Sequence, residues 1–387
     1  MDHLYSARLR ELRDTAERVA RERVAPAAEA VDREAAWPAE GLRALGEAGL
    51  MGLLVPRAAG GEGQGLLGLV AVTEVLGRAC SSTAMCYAMH CVGTAAIAAK
   101  ATDFQRDRYL AAIAKGRHVT TLALSEPGTG SQFYFSETSL RTDGDDYVVD
   151  GEKTFVTNGG HADSYVISTV ANEPSAEFGE FSCLVVDAGS AGLTWGPPWQ
   201  GFGVRGNASR GLRLEAVRVP RRNLLGAEGD QVWYVFEIIS PYFLMAMSAV
   251  YLGIARSALD LTTTHLKTRR TPHGEGTLAN VPELQLELAE MWSAVTACRH
   301  LVHDAARRGD EGDDAALPSL YMSKAATAEM VVAVTNQAMT LCGGIAYREN
   351  SHLARLLRDA RASHVMAPTT HMLKQWTART LLDLPLL

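Results

Sequence analysis

Between His118 and Leu225 the chain drops helical spacing for short β-branched runs, and that change of texture limits what it can fold into. Runs at 119–124, 147–149, 153–157, 165–169, 181–186 and 212–219 read as strands, with Asp143-Gly144 and Asp150-Gly151 as turns between some of them. Their spacing predicts a compact antiparallel β domain. On either side the period is helical. Leu9, Leu12, Ala16 and Val19 recur among Arg and Glu in a segment from 5 to about 35. Helical stretches follow at 39–48, 66–78, 82–99 and 103–114, broken by a glycine-rich loop at 58–63. After Pro220 the helical pattern returns and continues nearly to Leu387, with one acidic break at 307–314 that reads as a solvated loop. The expected architecture is mainly α with a central β domain: helices over 1–118, the β domain over 119–227 and helices over 228–387.

A length of 387 residues allows two or three packed units, and 47% apolar with 21% charged residues fits an ordinary globular protein. Apolar stretches are broken by charge or Gly, so no membrane span is expected. The N-terminus lacks the basic-then-apolar pattern of a signal peptide, and the expected location is the cytoplasm. Six cysteines lie in apolar runs without a CxxC pair, as reduced core thiols do. With a net charge of −7 and no basic stripe, nucleic acid is not an expected partner. An anionic cofactor would have to be held by backbone donors and single arginines.

Seven short motifs occur in order. Leu122-Ala123-Leu124-Ser125-Glu126-Pro127-Gly128-Thr129-Gly130-Ser131 is a strand ending in a Gly-rich turn, and Gly151-Glu152-Lys153-Thr154-Phe155-Val156-Thr157-Asn158-Gly159 follows it. Then come Gly203-Val204-Arg205-Gly206, Arg218-Val219-Pro220 ahead of Leu224-Leu225-Gly226, Leu252-Gly253-Ile254-Ala255, Cys342-Gly343-Gly344 and Leu357-Arg358-Asp359-Ala360-Arg361. Together they resemble the signatures of acyl-CoA dehydrogenases. The resemblance implies an N-terminal helical domain, an antiparallel β domain and a C-terminal four-helix bundle, assembled as a homotetramer or homodimer around FAD.

Glycines at 128 and 130 let backbone approach a phosphate, and their N–H groups can cradle an anion without net positive charge. By the resemblance, that anion is the FAD pyrophosphate. The main chain of Leu122 and Leu124 and the hydroxyl of Ser125 would bind the flavin's pyrimidine edge, and Ser131 would touch both cofactor and substrate. Phe155, Val156 and Thr157 would line the isoalloxazine. Strand alternation predicts that Phe155 and Thr157 share one face; the resemblance implies that the ring packs on the flavin and the hydroxyl lies near N5. Arg269, Thr340, Gly343 and Gly344 would reach the FAD of a neighbouring subunit, while Thr369, Thr370 and His371 belong to a loop that closes over the flavin.

The family's reaction removes an α-proton from an acyl thioester with a glutamate while a hydride leaves the β-carbon for the flavin. Neither usual glutamate is present: the matching positions are Ala367, followed by Pro368, and Phe243. The helix that normally holds the CoA end carries Ser240-Pro241-Tyr242-Phe243-Leu244, which makes Tyr242 and Phe243 the substrate-side candidates. Gln132 and Pro282 also depart from the pattern. His371 and His90 are the candidate replacement bases, since an imidazole is competent near neutrality, with Tyr242 and Tyr134 behind them. His300, His303 and Asp304 have a spacing that could suggest a metal but read as a solvated face, so no metal is expected. The first functional expectation is FAD-dependent α,β-dehydrogenation of a small-molecule or carrier-bound acyl substrate, with an electron acceptor or oxygen as second partner. The alternatives are a flavin monooxygenase on the same fold and an inactive flavin-binding scaffold.

Overall fold

The computed structural model describes residues 1–171, 181–270 and 276–386. α1 (Ala7–Val19) starts at Ser6, whose hydroxyl accepts the Leu9 N–H at 3.1 Å and satisfies one of the orphan donors of a helix start. Leu9, Leu12, Ala16 and Val19 are all buried, as their spacing requires. A π-helical stretch, Ala20–Val24, leads without a break into α2 (Ala25–Arg33). α3 (Ala39–Glu47), α4 (Leu66–Ala79) and α5 (Ser81–Ala99) follow, the last buried along nearly its whole length. α6 (Asp103–Gln105) opens on a Thr102 capping box and continues through a second π-helical stretch into α7 (Ala111–Ala114).

The strands are β1 (Thr120–Ala123), β2 (Ser139–Asp143), β3 (Asp146–Val156), β4 (Ser164–Ala171), β5 (Phe181–Asp187), β6 (Leu193–Trp195), β7 (Arg210–Pro220) and β8 (Leu224–Leu225). They form one sheet in the order β6-β7-β3-β2-β4-β5-β8, with β1 also on β4. β1 and β2 run parallel to β4 and the other ladders are antiparallel, so the sheet is mixed. The turn expected at Asp143-Gly144 is present: Gly144 has φ +63° and Asp143 pairs with Asp146. The one expected at Asp150-Gly151 is not. β3 runs through it with a register shift between Val149 and Gly151, and an added Cβ at Gly151 would meet Thr138 Oγ1 at 2.5 Å. Alternation along the strands divides the interior in two. Leu122, Val166, Cys183 and Val185 join the helical core, whereas Ala123, Ile167, Leu184 and Val186 form a smaller core on the other face.

The C-terminal region begins with one continuous helical run: α8 (Gln231–Trp233), a π-helical stretch Tyr234–Ile239 and α9 (Ser240–Thr268). Contrary to the expectation from interrupted apolar stretches, this run is long and apolar enough to cross a bilayer, yet 78% of its most apolar window is buried inside the protein. It packs against α4, α5, α11 and α12 as the central core helix. α10 (Pro282–Asp310), α11 (Leu317–Cys342), α12 (His352–Val365) and α13 (Thr370–Leu381) complete the chain.

Candidate active site

The Gly-rich turn after β1 is irregular backbone held from several sides. Ser125 O accepts the Thr154 N–H at 2.7 Å, which ties the turn to β3. Glu126 is buried, and its carboxylate accepts from the Thr138 hydroxyl at 2.8 Å, the Thr138 N–H at 3.2 Å and the ammonium of Lys153. Lys153, fully buried, also donates to Ser168 O at 2.6 Å. Burial pushes the Lys153 ammonium down while Glu126 opposes that shift. Glu126 of the first motif and Lys153 of the second therefore pair with each other, and Glu126 is a brace for the turn rather than a free base. Gly130 has φ +54° with open space where a side chain would stand, so its backbone conformation calls for glycine.

Phe155 and Thr157 do not share a face. The ladder shifts register between Lys153 and Val156, Phe155 takes φ +54°, and its ring stands 67% exposed, touching Trp199 edge-on at 6.2 Å between centroids. Thr157 is buried beside Ser209, hydroxyl to hydroxyl at 3.3 Å, and its carbonyl accepts from Thr121 Oγ1 at 2.9 Å. Val156 is fully buried, and its carbonyl accepts the Gly159 N–H at 3.1 Å. Asn158 then anchors the end of this motif on the helical region, accepting from Trp37 Nε1 at 2.8 Å and donating to Cys86 O at 2.9 Å.

Two other motifs clamp each other. The Val204 N–H donates to buried Asp359 at 2.6 Å while Arg358 forms a two-pronged pair with Asp32. Gly203 lies so close to Arg358 that an added Cβ would meet its carbonyl oxygen at 2.2 Å. Arg269, Thr340, Gly343 and Gly344 form a separate, exposed group at the ends of α9 and α11. Among the described residues, no hydrogen bond, ion pair or ring contact joins this group to the turn after β1. Residues 271–275, beside Arg269, lie outside the described residues.

The loop after Ser131 leads into an aromatic cluster. Phe133 and Tyr134, just after half-buried Ser131, meet Trp376 of α13 at 6.5 Å each, and Phe236 and Tyr321 meet the same indole at 6.0 and 5.5 Å. The members of this cluster come from four separate elements, and sequence reasoning singled out Tyr134 alone among them, as a candidate base behind the histidines. Gln231 Nε2 donates to Tyr134 O at 3.1 Å, which ties the same loop to α8. Tyr242 and Phe243 are half-buried on the first turn of α9, and burial pushes the Tyr242 phenol up to about 12, so it holds its proton at neutral pH. Thr369 N-caps α13, its hydroxyl accepting the Met372 N–H at 3.4 Å. Thr370 is buried and His371 exposed at the second residue of that helix.

His90 is not placed to act as a base. It is fully buried on α5, Nε2 donates to Met51 O at 3.0 Å and Nδ1 accepts the Thr120 N–H at 3.1 Å. Both ring nitrogens are thus engaged by main chain, and burial lowers its pKa to about 4. The solvated-face reading of 300–304 also needs correction. His303 is buried, with Nε2 donating to Glu74 at 2.9 Å and Nδ1 against the Tyr5 hydroxyl at 3.1 Å. Burial pushes the Glu74 carboxyl up, but His303, Arg299 and Arg256 outweigh it and hold the carboxyl well below the usual range. His300 is exposed and Asp304 pairs with Arg307 at 2.8 Å.

Comparison with known proteins agrees with this arrangement. Family profiles match in order: acyl-CoA dehydrogenase N-terminal domain over 6–117, middle domain over 121–217 and C-terminal domain over 244–382. The cyclohex-1-ene-1-carbonyl-CoA dehydrogenase of Geobacter metallireducens is 32% identical over 365 residues, covering 94% of this chain and 95% of that protein. The acryloyl-CoA reductase (NADH) of Anaerotignum propionicum is 32% identical over 92% of this chain and 89% of its own length. Butyryl-CoA dehydrogenase from Megasphaera elsdenii shares the fold, with a TM-score of 0.92 at 24% identity over 98% of this chain and 99% of that one. With matches over nearly its whole length and in the order of its three regions, the chain belongs to the acyl-CoA dehydrogenase family of oxidoreductases.

Proposed function

We propose that the protein is an FAD-dependent enzyme that introduces an α,β double bond into an acyl thioester, CoA- or carrier-bound, without a glutamate base. The observation that carries this reading is Phe155, a ring 67% exposed on left-handed backbone, on the strand that braces the Gly-rich turn. An aromatic side chain held outward on strained backbone fits a flat ligand that covers it. The glycines suit a dinucleotide as well, since Gly130, Gly343 and Gly344 leave open space where side chains would stand.

Bound there, FAD would supply the acceptor for the substrate's β-hydride. The main chain of Leu122, Leu124 and Val156, with the hydroxyls of Ser125 and Thr157, would hold the ring system. Ser131 stands between that turn and the aromatic cluster and would meet the substrate. Since no bond links Arg269, Thr340, Gly343 and Gly344 to the turn among the described residues, we read their contact with FAD as one made to a second copy of the chain, in a homodimer or homotetramer. An electron acceptor would then reoxidise the enzyme.

The α-proton needs a base within hydrogen-bond reach. Ala367 and Phe243 offer none and His90 has no free nitrogen, so His371 is the remaining candidate of the closing segment. Anaerobic titration of the purified protein with a panel of acyl thioesters tests the reading: bound flavin should bleach. His371→Asn should slow that reduction by about a hundredfold or more. A flavin that stays oxidised with every thioester, but inserts oxygen into substrate once reduced by an external donor, would replace the dehydrogenase by a monooxygenase. A protein that binds no flavin would leave only the scaffold.

A further inference from the structure

Lys324 is a fully buried cation that, among the described residues, has no carboxylate partner. It lies on α11 with no exposed surface, and Nζ donates to the carbonyls of Ser363 at 2.9 Å, Met366 at 2.9 Å and Pro368 at 3.0 Å. An ammonium has three protons, and all three are used on backbone oxygens of one short stretch. Burial lowers its pKa to about 8. Desolvating a cation costs several kcal/mol, so a buried lysine facing only carbonyl dipoles calls for a reason.

The three carbonyls supply one. Ser363 is in the last turn of α12, where carbonyl groups have no partner further along the helix, and a cation there also offsets the negative end of the helix dipole. Met366 and Pro368 flank Ala367 in the link to α13. The Tyr251 hydroxyl touches Met366 Sδ at 3.3 Å from α9, and the Ser363 hydroxyl donates to Ala328 O at 3.1 Å, so the link rests against α9 and α11. Thr369 then starts α13 by capping it. Lys324 therefore ties the end of α12 and both sides of Ala367 to one buried point, and His371 follows three residues after the last bonded carbonyl.

We propose that Lys324 is a positioning residue for the reaction: its ammonium fixes the 363–368 backbone and thereby places Thr369, Thr370 and His371 at the flavin. The placement at the flavin rests on the function proposed above; the fixing of the backbone does not. Because the lysine holds main-chain oxygens only, its three bonds do not depend on which side chains the segment carries, Ala367 included.

The test compares Lys324→Met and Lys324→Gln with the parent, all purified with FAD. Amide exchange of the peptide covering 366–373 should rise about tenfold or more in Lys324→Met and less in Lys324→Gln, which keeps two donors. Peptides covering 122–131 and 153–159 should not change, and quenching of flavin fluorescence by iodide should increase. Unchanged protection at 366–373 in a folded variant would overturn the proposal. So would exchange raised evenly across all the C-terminal helices, or collapse of both variants, since either assigns Lys324 to folding alone. A parent protein that holds no flavin would defeat the proposed cofactor, yet the exchange contrast could still be read in that protein.

Discussion

The Gly-rich turn after β1 and the link between α12 and α13 both hold irregular backbone in place, and they do so in opposite ways. Besides the main-chain bond that Ser125 O accepts from the Thr154 N–H, the turn is braced by its own Glu126 side chain, which takes bonds from Thr138 and Lys153, and Lys153 reaches on to the Ser168 carbonyl. The link is held through its own carbonyls by Lys324. A loop whose side chains make its braces cannot exchange them freely, whereas a loop held by its main chain can.

The largest effect should come from breaking the first brace. Lys153→Met leaves the Glu126 charge buried and unpaired, and urea unfolding should show a loss of about 3–5 kcal/mol. A loss under about 1 kcal/mol would remove the distinction between the two loops. Acid provides the next test, through the pairing of β1 with α5. His90 has a pKa lowered to about 4 by burial, so between the ordinary histidine value and 4 the unfolded chain holds a proton that the folded chain lacks. Stability is then full above the unfolded value and falls as the pH drops; from pH 7 to 4.5 this group alone should remove about 2–3 kcal/mol. A flat stability profile over that range would mean that His90 is accessible after all.

Smaller effects sharpen the comparison at the surface. Phe155→Ala should leave fold stability within about 0.5 kcal/mol, because the ring is exposed. Flavin affinity should drop by up to about tenfold, the worth of one aromatic contact. Equal flavin affinity in parent and variant would detach the exposed ring from the cofactor. The least effect is expected from Arg269→Ala: no change in melting temperature, and a loss of FAD on dialysis that appears only when the oligomer is diluted. Retention that does not depend on protein concentration would argue against a site shared between chains.

Much of the fold was legible because periodicity is local. The helices at 39–48, 66–78 and 82–99 lie within a residue or so of α3, α4 and α5, and the strand at 165–169 is the centre of β4. β2 escaped because its sequence, Ser-Leu-Arg-Thr-Asp, has no β-branched run; pairing with β3 makes it a strand. The Asp-Gly signal gave opposite outcomes at 143–144 and 150–151, since at the second position the close approach of Thr138 keeps the chain extended.

By itself the sequence determined the order of helices, sheet and helices, and the glycine and motif spacing that marks the family, because each depends on residues a few positions apart. Through the family resemblance it also set the expectation that Ala367 and Phe243 stand where a glutamate is usual. Only the tertiary structure decided which polar groups remain free. His90 meets Met51 and Thr120, Glu126 meets Lys153, and Lys324 meets carbonyls about forty residues away. A buried polar group takes its role from the partners that desolvation forces upon it, and partners so far along the chain come together only when the fold has closed.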